Sequence, residues 1–166
     1  MTHNEGTDKE HDIVHKTAHG TRTVWVSKST DDGVTWSAPK NITSAVKDPS
    51  WGWYATGPGT GIQVLHGPHK GRLVIPCDHS YNDTAGRVAK GPSEYGAHII
   101  YSDDHGASWQ RGGSIRPKVN ECQLTELADG KGGLLINMRS YFGHGCRTQA
   151  ISTDGGGNWT SPQDVP

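Results

Sequence analysis

The chain has 166 residues, with 16 basic and 17 acidic side chains and a net charge of -1. That balance excludes the basic footprint of a nucleic-acid or anionic-membrane binder; no apolar run approaches the roughly 18 residues of a membrane span, and the polar start MTHNEGTDKEHDIVHK is not a signal peptide. Only 31% of residues are apolar, with one Phe against 23 Gly and 6 Trp, a composition that predicts many short strands joined by turns in a single domain and argues against a helix bundle.

Residues 1–21 read as a polar N-terminal segment. His11, His15 and His19 recur every four residues, the spacing of metal ligands on one helical face, but no helical pattern surrounds them and they are read as a solvated loop. A β-prone run, Thr23–Ser27, leads into Ser29-Thr30-Asp31-Asp32-Gly33-Val34-Thr35-Trp36, the pattern S-x-D-x-G-x-T-W. Gly57-Pro58-Gly59-Thr60-Gly61 is glycine-rich but lacks the Lys-Ser/Thr of a phosphate loop and is read as a turn. Gly61–Leu65 and Arg72–Pro76 are predicted strands about a turn at 66–71, followed by a long polar connection from Asp78 to Tyr95 and a third strand, Gly96–Ser102. The pattern then returns as Ser102-Asp103-Asp104-His105-Gly106-Ala107-Ser108-Trp109. Cys122–Leu127 and Leu134–Met138 flank a turn containing Asp129-Gly130, Arg147–Ser152 follows, and Ser152-Thr153-Asp154-Gly155-Gly156-Gly157-Asn158-Trp159 is the third copy. Cys77, Cys122 and Cys146 are odd in number, far apart and outside any C-x-x-C, so they read as small buried thiols and leave the compartment open.

The repeat has the chemistry of a turn. Its Asp can accept backbone N–H groups two residues on, its Gly supplies a conformation a Cβ would forbid, and its Trp packs a large ring beside the next unit with an indole N–H left for a partner. From Ser29 to Ser102 is 73 residues and from Ser102 to Ser152 is 50. The shorter interval is close to one four-stranded propeller blade, and the longer one needs an insertion. A closed β-sandwich with coincidental turns is the competing architecture.

The three copies resemble the Asp-box of sialidases and related propellers, in which Ser29, Asp31, Gly33 and Trp36, then Ser102, Asp104, Gly106 and Trp109, then Ser152, Asp154, Gly156 and Trp159 would join the third and fourth strands of successive blades. Longer stretches are similar to exo-α-sialidases: Trp53-Tyr54-Ala55-Thr56-Gly57-Pro58-Gly59-Thr60-Gly61-Ile62-Gln63, Gly71-Arg72-Leu73-Val74-Ile75-Pro76, Asn120-Glu121-Cys122-Gln123 and Asn137-Met138-Arg139-Ser140. The resemblance runs from about residue 20 to the last box. It implies an all-β fold, part of a six-bladed β-propeller of the sialidase type, with about two and a half blades of four antiparallel strands: a half blade at 22–47, a blade with a long insertion at 48–116 and a blade at 117–166.

The implied activity is retaining hydrolysis of terminal α-linked sialic acids, without metal or cofactor. Glu121 matches the glutamate that pairs with the nucleophilic tyrosine; a phenol with pKa near 10 needs an adjacent carboxylate to take its proton, and sialidases are the tyrosine exception among retaining glycosidases. Arg139 matches one member of the arginine triad that holds the sialic-acid carboxylate, a task suited to the bidentate guanidinium fork. Glu10 is a candidate further pocket glutamate, Asp78 and His79 fall where related enzymes line the glycerol side chain, and Arg147 begins a strand and is read as structural. The family's first and last arginines, its aspartate acid/base and its tyrosine nucleophile match nothing in the chain, which therefore reads as an inactive fragment with missing blades supplied by the rest of a protein. Expected partners are sialylated glycoproteins, gangliosides or oligosaccharides, with a secreted or periplasmic setting favoured for the full-length protein. The alternative is a non-catalytic Asp-box propeller that binds glycans or proteins; an Asp-box glycosidase for neutral polysaccharide is disfavoured because it would have no carboxylate for Arg139 to clamp.

Overall fold

Short β-branched and aromatic runs punctuated by glycine form three antiparallel sheets in a computed structural model that describes residues 1–82 and 94–166. The first sheet has the order β1 (Thr2–His3), β2 (Thr23–Val26), β3 (Lys40–Asn41). The second runs β4 (Tyr54–Thr56), β6 (Leu73–Ser80), β7 (Tyr95–Ser102), β8 (Gln110–Ile115), with β5 (Ile62–Gln63) also pairing β6. The third runs β9 (Val119–Glu126), β10 (Leu134–Ser140), β11 (Thr148–Ser152), β12 (Gln163–Asp164). Apart from β4 and β5, which both pair β6, consecutive strands within each sheet are neighbours, as in the up-and-down blades of a propeller. Each Asp-box joins the last two strands of its sheet: β2 to β3, β7 to β8, β11 to β12.

The middle sheet is buried on both faces. Val74, Ala97 and Ile99 pack toward Val119, Cys122, Leu124, Ile136 and Met138 of the third sheet. Cys77 and Ile100 pack the other way, with Val24, Ile42, Val46, Trp51, Tyr54 and Trp109. A strand covered on both sides reads as a continuous apolar run, which is why Ala97–Tyr101 lacks polar alternation.

The three boxes share one hydrogen-bond scheme. In the second, Ser102 Oγ donates to Asp104 Oδ1 at 2.7 Å and accepts the Gly106 N–H at 2.8 Å. Asp104 Oδ1 accepts the Ser108 N–H at 2.8 Å, and Oδ2 accepts the Ser108 hydroxyl at 2.6 Å. Thr35 serves Asp31 and Asn158 serves Asp154 in the same two ways. The carboxylate thus caps the backbone four residues on, not two as an Asx-turn would, and the slot accepts Thr, Ser or Asn because each offers a side-chain donor. These bonds, the Thr35 hydroxyl first, hold the Asp31 carboxyl at about 2. The box Gly has φ of +88° at Gly33, +86° at Gly106 and +91° at Gly156, left-handed backbone that requires glycine. The Trp is less uniform. Trp109 is buried in the core, whereas Trp36 is 64% exposed and turns its indole N–H back onto the Gly33 carbonyl at 3.0 Å.

Two expectations are corrected. Strand β6 continues through the polar Asp78-His79-Ser80, paired with Ala97, Gly96 and Tyr95, so the connection starts later than hydropathy suggested; its residues 83–93 lie outside the described ones. The histidine-rich N-terminal stretch contains a short helix, α1 (Glu10–Val14), with Ile13 and Val14 buried and the Asp12 carboxylate accepting the Lys9 N–H at 3.3 Å. His11 and His15 stack with centroids 4.1 Å apart, while His19 bonds Asp8 at 2.9 Å, so the three rings do not converge. A second short helix, α2 (Thr43–Val46), follows β3.

Register places the boxes and the polar candidates at opposite ends of the sheets. In the second sheet Leu73 faces Ser102 at the box end while Ser80 faces Tyr95. In the third, Leu134 faces Ser152 at the box end while Ser140 faces Val119.

Candidate functional site

At the end away from the boxes, Glu10, Asp78, Glu121 and Arg139 line one cavity of about 270 Å³, with Trp53, Asn120 and Tyr141 as further walls. Four elements contribute: the first residue of α1, the far end of β6, the start of β9 and the end of β10.

A β-bulge in β9 brings Glu121 and Arg139 together. The β9–β10 ladder pairs Met138 with Cys122 and Ser140 with Val119, so Asn120 and Glu121 of β9 both lie opposite Arg139 of β10. A bulge of this kind re-aims a side chain, and the guanidinium turns to Glu121, with Arg139 Nη1 donating to Glu121 Oε2 at 3.0 Å. The bond to Glu121, followed by the Tyr141 phenol, raises the arginine pKa further. Arg139 also lies 5.0 Å from the Tyr141 ring centroid, and Tyr141 OH accepts the Asn120 amide at 3.1 Å. Both members of the pair are about half exposed, at 47% for Glu121 and 52% for Arg139, and the rest of the guanidinium fork faces the cavity region without a hydrogen bond among the described residues. Below them Arg147 donates from Nε to Asn137 Oδ1 and from Nη2 to the Glu121 carbonyl at 3.4 Å. It ties the β9 and β10 backbones together under Glu121.

Glu10 Oε1 accepts the Tyr95 hydroxyl at 2.8 Å, and burial, then this bond, pushes the Tyr95 phenol up. Asp78 is 1% exposed. Its Oδ1 is buried without a hydrogen-bond partner among the described residues. Burial first, then the charges of Glu121 and Glu10, pushes its carboxyl up to about 8, against a smaller pull from Arg22.

His79 does not join this group. Successive strand residues face opposite ways, so while Asp78 points to the cavity His79 points into the core between the first two sheets. It stacks on Trp51 with centroids 3.6 Å apart and an interplanar angle of 14°, its Nδ1 lies 3.0 Å from His98 Nδ1, and Arg116 Nε donates to its Nε2 at 3.2 Å. Adjacency in sequence had grouped it with Asp78; the pleat separates them. Conversely, Trp53, Asn120 and Tyr141 line the cavity without having been singled out for it. Asn120 stands beside Glu121 in the Asn-Glu-Cys-Gln stretch and Tyr141 stands two residues beyond Arg139, so both could have been found by extending the site along each strand.

A larger cavity, about 670 Å³, lies between α1, α2 and the first sheet. Its buried cation, Lys47, already donates to Thr21 Oγ1 at 2.5 Å, Gly52 O at 2.8 Å and Arg22 O at 3.1 Å. With all three protons engaged it offers a ligand nothing. The smaller cavity instead combines a part-free guanidinium fork, two accessible carboxylates, a buried carboxyl and aromatic walls, a set suited to a small, acidic, hydroxyl-rich molecule.

The chain matches the family model of the BNR repeat-like domain over residues 10–166. It is 42% identical over 135 residues to a sialidase of Bacteroides fragilis, covering 81% of this chain and 22% of that protein. It is 35% identical over 144 residues to a sialidase of Micromonospora viridifaciens, covering 85% of this chain and 21% of that one. The solved Hadza microbial sialidase Hz136 superposes with a TM-score of 0.70 at 36% identity, over 85% of this chain and 24% of its own. The chain thus spans about a fifth of the length of the two curated relatives. On its matched repeats and its sheet architecture, the chain belongs to the BNR repeat-like domain family and has the fold of a sialidase-type β-propeller.

Proposed function

We propose that this chain contributes one wall of the active site of an exo-α-sialidase, a hydrolase of terminal α-linked sialic acids on glycoproteins, gangliosides or oligosaccharides. The observation that carries the reading is the convergence of Glu121 and Arg139, 3.0 Å apart, with Glu10 and Asp78 on one cavity. Arg139 orients the substrate carboxylate through its fork. Glu121 takes the proton of a tyrosine as the phenol attacks the anomeric carbon; the glycosidic bond breaks, the aglycone leaves with a proton from the aspartate acid, and water later hydrolyses the glycosyl–tyrosine bond, giving retention. A neutral phenol avoids the repulsion that a carboxylate nucleophile would meet from the substrate's own carboxylate. The half blade, two blades and boundaries inferred from the repeat belong to this reading, and the tyrosine, the aspartate acid/base and two further arginines come from segments outside these 166 residues.

The test is release of a fluorogenic aglycone from a sialoside. The 166-residue chain should show little turnover, because its single arginine works in an open, solvent-screened groove. A longer polypeptide carrying the remaining blades should turn over, and Arg139→Ala should abolish most of that activity. Robust turnover by the short chain, lost in Arg139→Ala, would overturn this division of labour; an inactive longer polypeptide that still binds sialosides would favour the non-catalytic binder.

A further inference from the structure

We propose that the Asp78 carboxyl is a hydrogen-bond donor of this cavity that determines specificity, reading an uncharged oxygen, hydroxyl or amide carbonyl, of the bound sugar. The inference rests on the sialidase reading of the cavity and adds to it a residue role and a pH dependence.

Three observations carry it. The carboxyl lines the cavity yet is 1% exposed, and its Oδ1 has no hydrogen-bond partner among the described residues. A buried polar atom left unpaired costs about 1–3 kcal/mol, so a native structure that keeps one beside a cavity has a partner's place open. Second, the cavity already holds two carboxylates, Glu10 and Glu121, against the one guanidinium of Arg139. A third negative charge would oppose any anionic ligand. Third, the groups packed around Asp78 favour its protonated form. From the surrounding elements these are Glu10 on α1, Arg22 before β2, Tyr54 on β4, Tyr95 on β7, and Glu121 and Cys122 on β9, with Cys77 beside it on β6 and Arg139 across the cavity. Only the arginines are cationic, and Arg22 is committed elsewhere, to the Tyr54 carbonyl at 3.0 Å, Asn4 Oδ1 at 2.6 Å and Thr2 Oγ1 at 2.6 Å. Burial and the two glutamates outweigh it, pushing the carboxyl up to about 8. A protonated carboxyl presents one donor and one acceptor, the pattern of an amide, and so can pair with a hydroxyl in both directions.

Two measurements test this on the 166-residue chain. Carbon NMR of chain labelled at the Asp carboxyl carbons, with the Asp78 signal assigned by its loss in Asp78→Asn, should show a titration midpoint near 8 without any ligand. A midpoint in the usual carboxylate range overturns the proposal. Binding of the unsaturated sialic-acid analogue 2-deoxy-2,3-didehydro-N-acetylneuraminic acid, followed by chemical shifts from pH 6 to 9.5, should weaken about tenfold as Asp78 ionises. Asp78→Asn, which keeps a donor, should bind at pH 6 like the parent and lose that pH dependence; Asp78→Ala should bind about tenfold more weakly at pH 6. Binding that is equal in all three proteins at every pH overturns the role of Asp78 while leaving the sialidase reading standing. No binding by any of them at millimolar analogue overturns the role of Asp78 in this chain, while the sialidase reading is decided separately by turnover of the longer polypeptide.

Discussion

Acidifying the chain from pH 6.5 to 5 should cost it about 1 kcal/mol of folding stability, and removing the Asp78 carboxyl should more than double that cost. The source is the buried histidine pair. Arg116 donates to His79 Nε2, so that nitrogen carries no proton and His79 Nδ1 does. The proton points at His98 Nδ1, 3.0 Å away, which assigns the remaining N–H of His98 to Nε2, buried without a partner among the described residues. A second proton on His79 would face Arg116, and one on His98 would face His79. Burial therefore pushes His98 down to about 3, and burial with the charges of His98, Arg116 and Arg111 holds His79 well below its usual value. In the unfolded chain both titrate near 6.5. Above that pH neither state binds the extra proton and nothing is lost; below it the unfolded state gains protons that the fold refuses, at about 1.4 kcal/mol per histidine per pH unit. Asp78 works in the opposite sense. Folded, it keeps its proton up to about 8, while unfolded it loses it near 4, so between those values stability falls by a similar slope as pH rises. Once the unfolded histidines are charged, two histidines against one carboxyl leave a net loss of about one group's slope on acidification, and Asp78→Asn removes the opposing contribution and about doubles that slope. Urea unfolding followed by tryptophan fluorescence, at half-unit steps from pH 5 to 7.5, measures both slopes. A flat parent profile that stays flat in Asp78→Asn would refute the reasoning.

Other substitutions separate packing from function. Ser102→Ala should cost about 1–3 kcal/mol in urea, because it removes a buried hydroxyl that accepts the Gly106 N–H and donates to Asp104; Ser29→Ala, where the serine is more exposed, should cost less. Gly67→Ala should also destabilise, by about 1–3 kcal/mol, since Gly67 has φ of +72° and a Cβ there would stand 1.9 Å from the Lys131 carbonyl, forcing apart the turns that connect β5 to β6 and β9 to β10. Glu121→Gln and Arg139→Lys should each change stability by less than about 1 kcal/mol, as expected for a half-exposed ion pair. In an active longer polypeptide Glu121→Gln should lower kcat about 10²–10⁴-fold with little change in KM, and an unaltered kcat would remove Glu121 from the chemistry.

The parts of the fold that could be read from residues alone are those in which one side chain has one task. Each box position does a single job, the Ser and Asp bonding each other, the Gly turning left-handed, the Thr, Ser or Asn capping the Asp, so the pattern survives as letters at fixed spacing and carries the strand pairs on either side with it. Strands β1 and β4, two and three residues long, carry too little alternation to be seen, and α1, at five residues, shows no 3.6-residue period. The end of β6 was hidden for a different reason. Asp78, His79 and Ser80 are all buried, but hydropathy assigns such residues to a loop, because burying them repays nothing unless polar partners or a ligand wait there. His79 finds its partners in Arg116 and His98, Ser80 accepts the Trp53 N–H at 2.8 Å, and Asp78 Oδ1 finds none among the described residues. Glu121 and Arg139 were recognisable by type, yet their meeting depends on an extra residue in β9 that leaves no mark in the alternation of either strand. Where local pattern and structure disagree in this chain, at β6 and at the bulge, the disagreement brings polar groups to the same cavity, as expected if local consistency is given up at a binding site and recovered in the packed sheets around it.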